Sequence, residues 1–461
     1  VLPVILFHAG IELFSGGFVG VDIFFVLSGY LITTIIAAEL ANDKFSIVNF
    51  YERRARRILP ALFFVMAVSI PFAWFLLLPD DMRRFSQSLV AVVTFSSNIL
   101  FWMTSGYFDT ASELKPMLHT WSLAVEEQYY VIFPVFMILA WRFGLKFVVY
   151  ILVFFALSSL ALAQWGSKSH PSPTFYLLPT RGWELIIGAL TALYLIRTPN
   201  IKGSQLLSII GLLLIVISIF IFDESIPFPS LYALVPTLGV ALVILYSRAG
   251  TLTHKILSNR VFVGIGLISY SAYLWHQPIL AFARHYSFDE ISPIMGILYS
   301  ILSVVLAYIS WKFVESPFRN KSKTSRQFIF IFSVIGSVFF IAFGLIGHSS
   351  NGYTDRFSEN DLQTIMQTER SSLTDRCEAS LRQTTIDIDD CVFGDRTKAP
   401  SFVLLGDSHA DALVNTLNSQ AHRLEISFIY LGNSGCQPII DAIRPDVPHC
   451  LQLTNSYLEL F

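Results

Sequence analysis

The sequence changes near residue 350 from segments suited to lipid to a part suited to water, and this change limits the folds that the chain can adopt. Long apolar segments fill residues 1–346, whereas the sequence from about Asn351 onward is polar enough for a soluble domain. Most of these segments are about 20 residues long, which is the length that a helix needs to cross a bilayer. Only 14% of the residues are charged, against roughly a quarter in soluble globular proteins. We therefore predict a helical membrane unit followed by a soluble domain.

Twelve apolar segments precede the soluble part, and the first is short enough to be the remnant of a longer one. They lie near residues 1–9, 17–38, 58–78, 85–103, 122–140, 147–164, 181–196, 205–222, 229–246, 262–282, 294–313 and 328–346. Basic clusters mark cytoplasmic loops in membrane proteins. The clear clusters lie at 53–57, 141–146, 197–202, 248–260 and 319–326. The last of these predicts that the soluble domain lies outside the cytoplasm.

The number of segments conflicts with that orientation. Twelve crossings from a cytoplasmic start would return the soluble domain to the cytoplasm, so one segment between residues 58 and 140 must not cross. Segment 85–103 is the candidate because it carries seven polar residues: Ser86, Gln87, Ser88, Thr94, Ser96, Ser97 and Asn98. A re-entrant segment is allowed where protein or a water-filled cavity surrounds its backbone. Eleven crossings and one re-entrant segment satisfy both constraints.

The cysteines give an independent indication of the compartment. All four lie in the soluble part: Cys377, Cys391, Cys436 and Cys450. An even number confined to one soluble region favours disulfides and an oxidising compartment. Of the three possible connectivities we expect the pairing of sequence neighbours, and free buried thiols are the alternative. No stretch is basic enough to predict a nucleic-acid partner.

Ionisable side chains inside apolar segments are costly in lipid, so they mark candidate functional positions. His8 lies in the first segment, where a neutral imidazole can act as a base near neutral pH. The alternative is a histidine that only bonds a carbonyl at a helix end. His119 and Glu126 share one face of a predicted helix with Ser122 and Tyr129, and they can form an acid–base pair there. An interfacial polar belt is the alternative for this segment.

A cluster of arginines lies at a predicted cytoplasmic edge. Arg53, Arg56 and Arg57 are spaced i, i+3 and i+4, which places them on one helical face. Guanidinium groups suit a phosphorylated ligand, although the cluster alone favours a topology anchor. Arg181 and Glu184 are one turn apart and are expected to form a structural ion pair. The remaining candidates are Tyr273, Trp275 and His276 within one segment, and Glu315 with Arg319 at a cytoplasmic end.

The soluble part begins with a strand, a turn and a helix. Residues 401–405 are a predicted strand, residues 410–421 a helix and residues 425–431 a second strand, which together favour a parallel sheet. Ser408 lies in the turn, where helix N–H groups can stabilise an oxyanion. A nucleophilic serine needs a base, and no Asp-x-x-His sequence follows. A simple N-cap role for Ser408 is the alternative.

These features together resemble a known family. The carriers are residues 7–10, 17–30, 53–60, 121–134, 183–185, 273–276, 313–319 and 402–409. The chain is similar to the membrane-bound acyltransferase 3 family fused to a C-terminal SGNH hydrolase-like domain. The resemblance implies about ten membrane helices and an eleventh, linking helix before an α/β domain. We expect the domains at 1–318 (membrane), 319–348 (linking helix), 349–400 (extracytoplasmic linker) and 401–461 (SGNH-type).

The resemblance also implies roles for particular residues. His8 and Ser408 would be catalytic, Glu126 or His119 would assist His8, and the arginine cluster would meet the phosphates of acetyl-CoA, with no metal involved. Gly432 or Gly435 would supply the oxyanion hole. The family's first-helix arginine would lie before Val1, and its Asn and Asp-x-x-His are not found. We therefore expect the chain to be truncated at both ends and its SGNH-type domain to be incomplete.

The sequence is compatible with three functions. The first is transfer of acetyl from cytoplasmic acetyl-CoA to a periplasmic glycan at a bacterial inner membrane. Lipopolysaccharide O-antigen is the favoured acceptor, and peptidoglycan muramic acid is the runner-up. The second is a transporter of a lipid-linked glycan, with a soluble domain that only binds sugar. The third is an esterase that removes acetyl groups.

Overall fold

The computed structural model describes residues 1–105, 111–287, 291–368, 373–381 and 388–432, together with Cys436 and Cys450. Gly435, one of the two predicted oxyanion-hole glycines, lies outside these residues. The chain divides into two compact units, Val1–Tyr353 and Thr354–Phe461.

The first unit is built from helices in the residues that the structure describes. They are α1 (Leu2–His8), α2 (Gly20–Ala41), α3 (Ile47–Leu76), α4 (Pro79–Val93), α5 (Ser97–Met103), α6 (Thr120–Trp141), α7 (Leu145–Ser169), α8 (Pro171–Tyr176), α9 (Leu178–Arg197), α10 (Gln205–Ile221), α11 (Leu234–Tyr246), α12 (Leu252–Leu257), α13 (Arg260–Tyr286), α14 (Pro293–Ser310), α15 (Ser316–Arg319) and α16 (Arg326–Ser349). A π-helical turn, Trp311–Glu315, joins α14 to α15.

Six helices of the described residues are long and apolar enough to cross a membrane. They are Gly17–Ala41, Ile47–Leu76, Thr120–Trp141, Leu145–Ser169, Pro293–Arg319 and Arg326–Ser349. The predicted fold class, a polytopic helical unit followed by a small α/β unit, is confirmed. The number of crossings stays a prediction.

The predicted re-entrant segment 85–103 is interrupted in the structure. Phe95 adopts a left-handed backbone conformation with φ of 52°, and this ends α4 before α5 begins. The 15 residues of α4 and the seven of α5 extend about 22 and 10 Å, so neither helix alone spans a hydrocarbon core of about 30 Å. Polar side chains such as Ser86 and Asn98 are buried in protein. These features agree with a segment that does not cross.

Helices α2 and α9 touch backbone to backbone at two glycines. A Cβ on Gly29 would overlap the carbonyl oxygen of Leu185, and one on Gly188 would overlap that of Val26. Such small residues permit the close helix contacts that are typical of membrane proteins. The two helices also approach each other nearer their N-terminal ends, where Asp22 of α2 and Arg181 and Glu184 of α9 lie within the first two turns.

The second unit contains α17 (Glu359–Thr368), α18 (Asp375–Leu381), β1 (Val392–Gly394), β2 (Pro400–Gly406), α19 (Ser408–Arg423) and β3 (Ser427–Gly432). The sheet order is β1-β3-β2, in which β2 pairs with β3 in parallel and β1 pairs with β3 antiparallel. The predicted strand–helix–strand order with a parallel pair is confirmed. The predicted neighbour pairing of the cysteines is confirmed as well, because Cys377–Cys391 and Cys436–Cys450 are disulfides.

Candidate active site

His8 ends α1, and one hydrogen bond sets the orientation of its imidazole. Nδ1 lies 2.9 Å from the carbonyl oxygen of Val4, one turn earlier. Because a carbonyl oxygen only accepts, Nδ1 carries the proton and Nε2 of the neutral ring keeps a lone pair. The structure therefore shows the helix-end bond that the sequence left open as an alternative. The same bond leaves the other ring nitrogen suited to act as a base.

Three histidines from separate parts of the chain meet at this end of the membrane unit. His276 of α13 bonds the carbonyl oxygen of Tyr273 through Nδ1 at 2.6 Å, and its buried Nε2 has no partner among the described residues. His119, just before α6, has both ring nitrogens buried without a partner in the same part of the chain. Ring centroids are 5.2 Å apart for His8 and His276, and 5.5 Å apart for His119 and His276. We call these three residues the histidine cluster.

A cavity of about 500 Å³ lies beside the histidine cluster, and we call it the His8 cavity. Its lining includes His8, His119, Tyr273 and Arg181. This volume is within the range of sites that bind small molecules. Asp223 lines the cavity from the loop after α10. The hydroxyl and the backbone N–H of Ser225 hold the pKa of the Asp223 carboxyl below its usual range, so this position is negative at neutral pH.

Arg181 lies between two buried carboxylates. Its Nη1 is 3.3 Å from Glu184 Oε1, as the predicted ion pair requires, and its Nη2 is 3.2 Å from Asp22 Oδ1. All three side chains are at most 1% exposed. Sequence reasoning missed Asp22, although an acidic residue within an apolar segment was a signal for it. Four aromatic rings surround the guanidinium, with centroids 5.5–5.8 Å from its central carbon: Phe25, Trp121, Phe175 and Phe228.

Glu126 belongs to a different group from His119. Its carboxylate accepts hydrogen bonds from the hydroxyls of Ser28 and Tyr130. Seven residues of helix separate Glu126 from His119, a rise of about 10 Å, and no hydrogen bond joins them within the described residues. The structure therefore does not bring the predicted acid–base pair together. Ser122, on the same face, bonds the hydroxyl of Tyr273 at 2.6 Å.

The arginine cluster of α3 divides into different environments. Arg53 pairs with Glu39 at 2.8 Å and stays partly exposed. Arg56 is only 3% exposed, pairs with Glu52 at 2.9 Å and donates through Nη2 to the carbonyl oxygen of Thr324 at 2.9 Å. Arg56 thus ties α3 to the turn before α16, which fits the anchoring alternative for this residue.

Two further arginines complete this end of α3. Arg57 is half-buried and lies close enough to Glu315 for their charges to interact. Arg54, which sequence reasoning missed, has its guanidinium carbon 5.4 Å from the ring centroid of Tyr130. Its Nε is buried without a partner among the described residues. The adjacent arginines and the Glu126-Glu127 pair are the sequence signal that could have identified it.

Glu315 lies in the π-helical turn between α14 and α15. It is 2% exposed, accepts from Ser271 at 3.1 Å and pairs with Arg319 at 3.0 Å. The predicted link between Glu315 and Arg319 is present. Such turns frequently occur at functional sites because they displace a side chain from its helical position.

Ser408 is the first residue of α19 in the second unit. Asp407 is the N-cap, because its side chain accepts from the backbone N–H of His409 at 3.0 Å. The alternative role of Ser408 as N-cap is therefore taken by its neighbour. Gly406 and Gly432 are register partners at the ends of β2 and β3, so Gly432 lies beside the turn that carries Ser408. The described residues hold no group of His, Cys, Asp and Glu side chains suited to a metal ion.

Comparison with known proteins identifies the families that the two parts of the chain match. The acyltransferase domain family matches residues 2–312, and the SGNH domain that is fused to such domains matches residues 376–461. O-acetyltransferase OatA of Staphylococcus aureus strains NCTC 8325 / PS 47 and COL is 29% identical over 347 residues. The match covers 71% of this chain and 57% of OatA, so the chain spans little more than half the length of these relatives.

A further relative extends the match. "Putative O-acetyltransferase SACOL0978" of S. aureus strain COL is 28% identical over 404 residues, or 79% of this chain and 66% of that protein. No solved structure shows a significant match. The acyltransferase domain match covers more than half of the residues, and the SGNH match follows it in the order that the resemblance predicts. The chain belongs to the acyltransferase family whose members carry a fused SGNH domain.

Proposed function

We propose that the protein is an O-acetyltransferase that moves acetyl from cytoplasmic acetyl-CoA to a glycan hydroxyl on the other side of the membrane. Membership of the family and the names of the relatives support the reaction class. The observation that carries the proposal is the position of His8. Its ring lines a cavity large enough for a sugar, within a unit whose long helices suit a bilayer.

Polar side chains extend from the histidine cluster into the membrane unit. The backbone of His119 accepts from Tyr273 at 2.9 Å, Tyr273 bonds Ser122, and Tyr130 bonds Glu126 farther along α6. Eleven residues separate His119 from Tyr130, a rise of about 16 Å. That is roughly half of a hydrocarbon core of about 30 Å. A group that crosses by this route meets polar partners over half of the membrane.

The donor enters from the end of α3 that carries the arginines. Arg53, Arg54 and Arg57 would hold the phosphates of acetyl-CoA, because guanidinium groups match phosphate geometry. Arg56 was predicted for the same role, but its guanidinium is already used by Glu52 and Thr324. The proposed phosphate site is therefore the more accessible part of the cluster.

His8 is the base of the first stage. Its Nε2 takes the proton from the hydroxyl of the first acyl acceptor, which is either Ser408 or a carrier. The oxygen of that hydroxyl adds to the thioester carbonyl of acetyl-CoA. The tetrahedral intermediate expels the thiolate of coenzyme A, which takes up that proton from the imidazolium. The bond from Nδ1 to Val4 keeps Nδ1 protonated, so Nε2 is the nitrogen that accepts the proton and returns it.

Ser408 acts in the second stage. It receives the acetyl group, directly or through a carrier, and passes it to the hydroxyl of the sugar. The first N–H groups of α19 and the helix dipole stabilise the oxyanion, and Gly432 lies beside them. The two disulfides support an oxidising compartment for this unit, which is the periplasm in our proposal. We propose O-antigen as the acceptor, and peptidoglycan is the alternative.

The test uses full-length protein in a host that lacks the enzyme. His8→Ala and Ser408→Ala are compared with wild type, and base-labile acetate is measured by NMR on purified lipopolysaccharide and peptidoglycan. His254→Ala and Ser419→Ala are matched controls, since both side chains are exposed and lie outside the site. Acetate on one glycan, lost only in the two site variants at equal protein levels, supports the proposal and identifies the acceptor.

Other outcomes would favour other functions. Acetate that persists in Ser408→Ala removes Ser408 from the mechanism. Loss of acetate already present on the host's glycans favours an esterase. If no glycan gains or loses acetate, the result favours a transporter of a lipid-linked glycan.

A further inference from the structure

A second, smaller cavity lies next to the His8 cavity between α2, α6 and α13, and we call it the inner cavity. Its volume is about 50 Å³. Its lining contains both polar and apolar side chains: Ser122, Glu126, Tyr270 and Tyr273, and Val21, Phe24, Phe25 and Leu123. The pocket therefore suits a very small group that has one polar and one apolar end.

Tyr273 and Val21 lie between the two cavities, because both side chains line each of them. Tyr273 is the polar member of this pair. Its hydroxyl is held by Ser122 Oγ at 2.6 Å and by the backbone carbonyl of His119 at 2.9 Å. Movement of this side chain would connect the inner cavity with the cavity that His8 lines. The inner cavity thus lies between the bonded Glu126–Tyr130 pair and the histidine cluster.

The size of the inner cavity limits what can occupy it. A protein cavity of about 150 Å³ holds one benzene molecule, which has six heavy atoms. A cavity of about 50 Å³ has a third of that volume, so it has room for about two heavy atoms at the same loose packing. The three heavy atoms of an acetyl group would therefore fill it tightly and leave no room for a fourth. The hydroxyl of Ser122 can turn from Tyr273 to donate to an acyl carbonyl, because Tyr273 keeps its own bond to the carbonyl of His119. Leu123 and Phe24 can contact the methyl group.

We propose that the inner cavity binds the acyl group of the donor, and that Phe24 and Leu123 restrict it to two carbons. This inference rests on the proposed function and adds a basis for its acyl-chain specificity. A third carbon would overlap one of these two side chains. Shortening either of them would admit propionyl without altering the hydroxyl that bonds the carbonyl.

The test measures acyl selection in membranes that contain the full-length protein. Equal concentrations of acetyl-CoA and propionyl-CoA compete, and the acetate and propionate released by base from the glycan are quantified. Leu123→Ala should raise the ratio of propionate to acetate by about 10-fold or more, because one methylene in an apolar pocket changes selectivity by roughly 10- to 200-fold. Phe24→Leu is a second, milder variant that should shift the ratio in the same direction.

Ile32→Ala is the matched control. Ile32 is buried on α2 but is not in the lining of the inner cavity, so its loss loosens the core without enlarging the pocket. An unchanged ratio in both pocket variants, with acetate transfer retained, would overturn the inference alone. An equal shift in Ile32→Ala would also overturn it. A wild type that transfers neither acyl group would instead overturn the proposed function, and this inference with it.

Discussion

Arg181 of α9 reaches Asp22 of α2, with 3.2 Å between Nη2 and Oδ1. The two residues are far apart in the sequence, and both are fully buried. The pair links the helices that meet at Gly29 and Gly188, and Arg181 also lines the His8 cavity. One guanidinium therefore contributes to the packing of two helices and to the wall of the candidate site.

Removal of Arg181 should destabilise the membrane unit strongly. Arg181→Ala leaves two buried carboxylates without their cation, and breaking a buried pair in this way costs about 3–5 kcal/mol. Unfolding of the detergent-solubilised protein measures the loss. Arg53→Ala is the control, because its pair with Glu39 is partly exposed and such pairs contribute about 0–1 kcal/mol. Equal losses in both variants would contradict a structural role for Arg181.

Substitution of His8 by Asn separates its two possible roles. The Asn side-chain amide can still donate a hydrogen bond to the carbonyl of Val4, but it offers no basic nitrogen in place of Nε2. If His8 is the base, acetyl transfer should fall by about 10²- to 10⁴-fold, with no change in the melting temperature. Rates are measured in membranes with acetyl-CoA as donor. Retention of the wild-type rate by His8→Asn would show that only the helix-end bond matters.

Arg57 and Arg56 should respond differently to substitution. Arg57→Ala should raise KM for acetyl-CoA with little change in melting temperature, because Arg57 is proposed to contact phosphate. Arg56→Ala should lower the melting temperature, because it breaks the buried bonds to Glu52 and Thr324. Steady-state kinetics and thermal unfolding on the same preparations distinguish the two. A rise in KM for Arg56→Ala alone would reverse the assignment.

The disulfide Cys377–Cys391 should stabilise the second unit. Its cysteines are 14 residues apart, and closing a loop of about 15 residues contributes about 3 kcal/mol in the chain-entropy model. The double variant Cys377→Ser with Cys391→Ser should therefore unfold that unit at lower denaturant concentration. Peptide mapping without reduction checks the pairing itself. An unchanged transition in the double variant would show that the bond contributes little.

Local sequence signals were sufficient for β2, α19 and β3 of the second unit, but not for α17, α18 and β1, which lie in the predicted linker 349–400. A short apolar strand, a turn and an amphipathic helix follow one another, and the observed elements β2, α19 and β3 lie within about two residues of the predicted bounds. The pairing of Cys377 with Cys391 also followed from proximity in the sequence. Each of these features depends on contacts between neighbours in the chain.

Contacts between distant segments were not predictable in the same way. His8, His119 and His276 were each singled out, but a single sequence gives no information that the fold brings them together. Helical spacing placed His119 and Glu126 on one face, although the helix begins only after His119 and their partners lie on different helices. The break at Phe95 was also hidden, because a left-handed conformation is rare for a bulky residue.

The backbone contact at Gly29 and Gly188 has a consequence for the cell. A protein that exposes one site to the cytoplasm and another to the opposite compartment must not become a leak for protons or ions. With no side chain between α2 and α9 at these two positions, the carbonyl oxygens of Leu185 and Val26 fill the space that a water file would need. If the protein acts on both sides of a membrane as proposed, this close contact would help to seal α2 against α9 at this level.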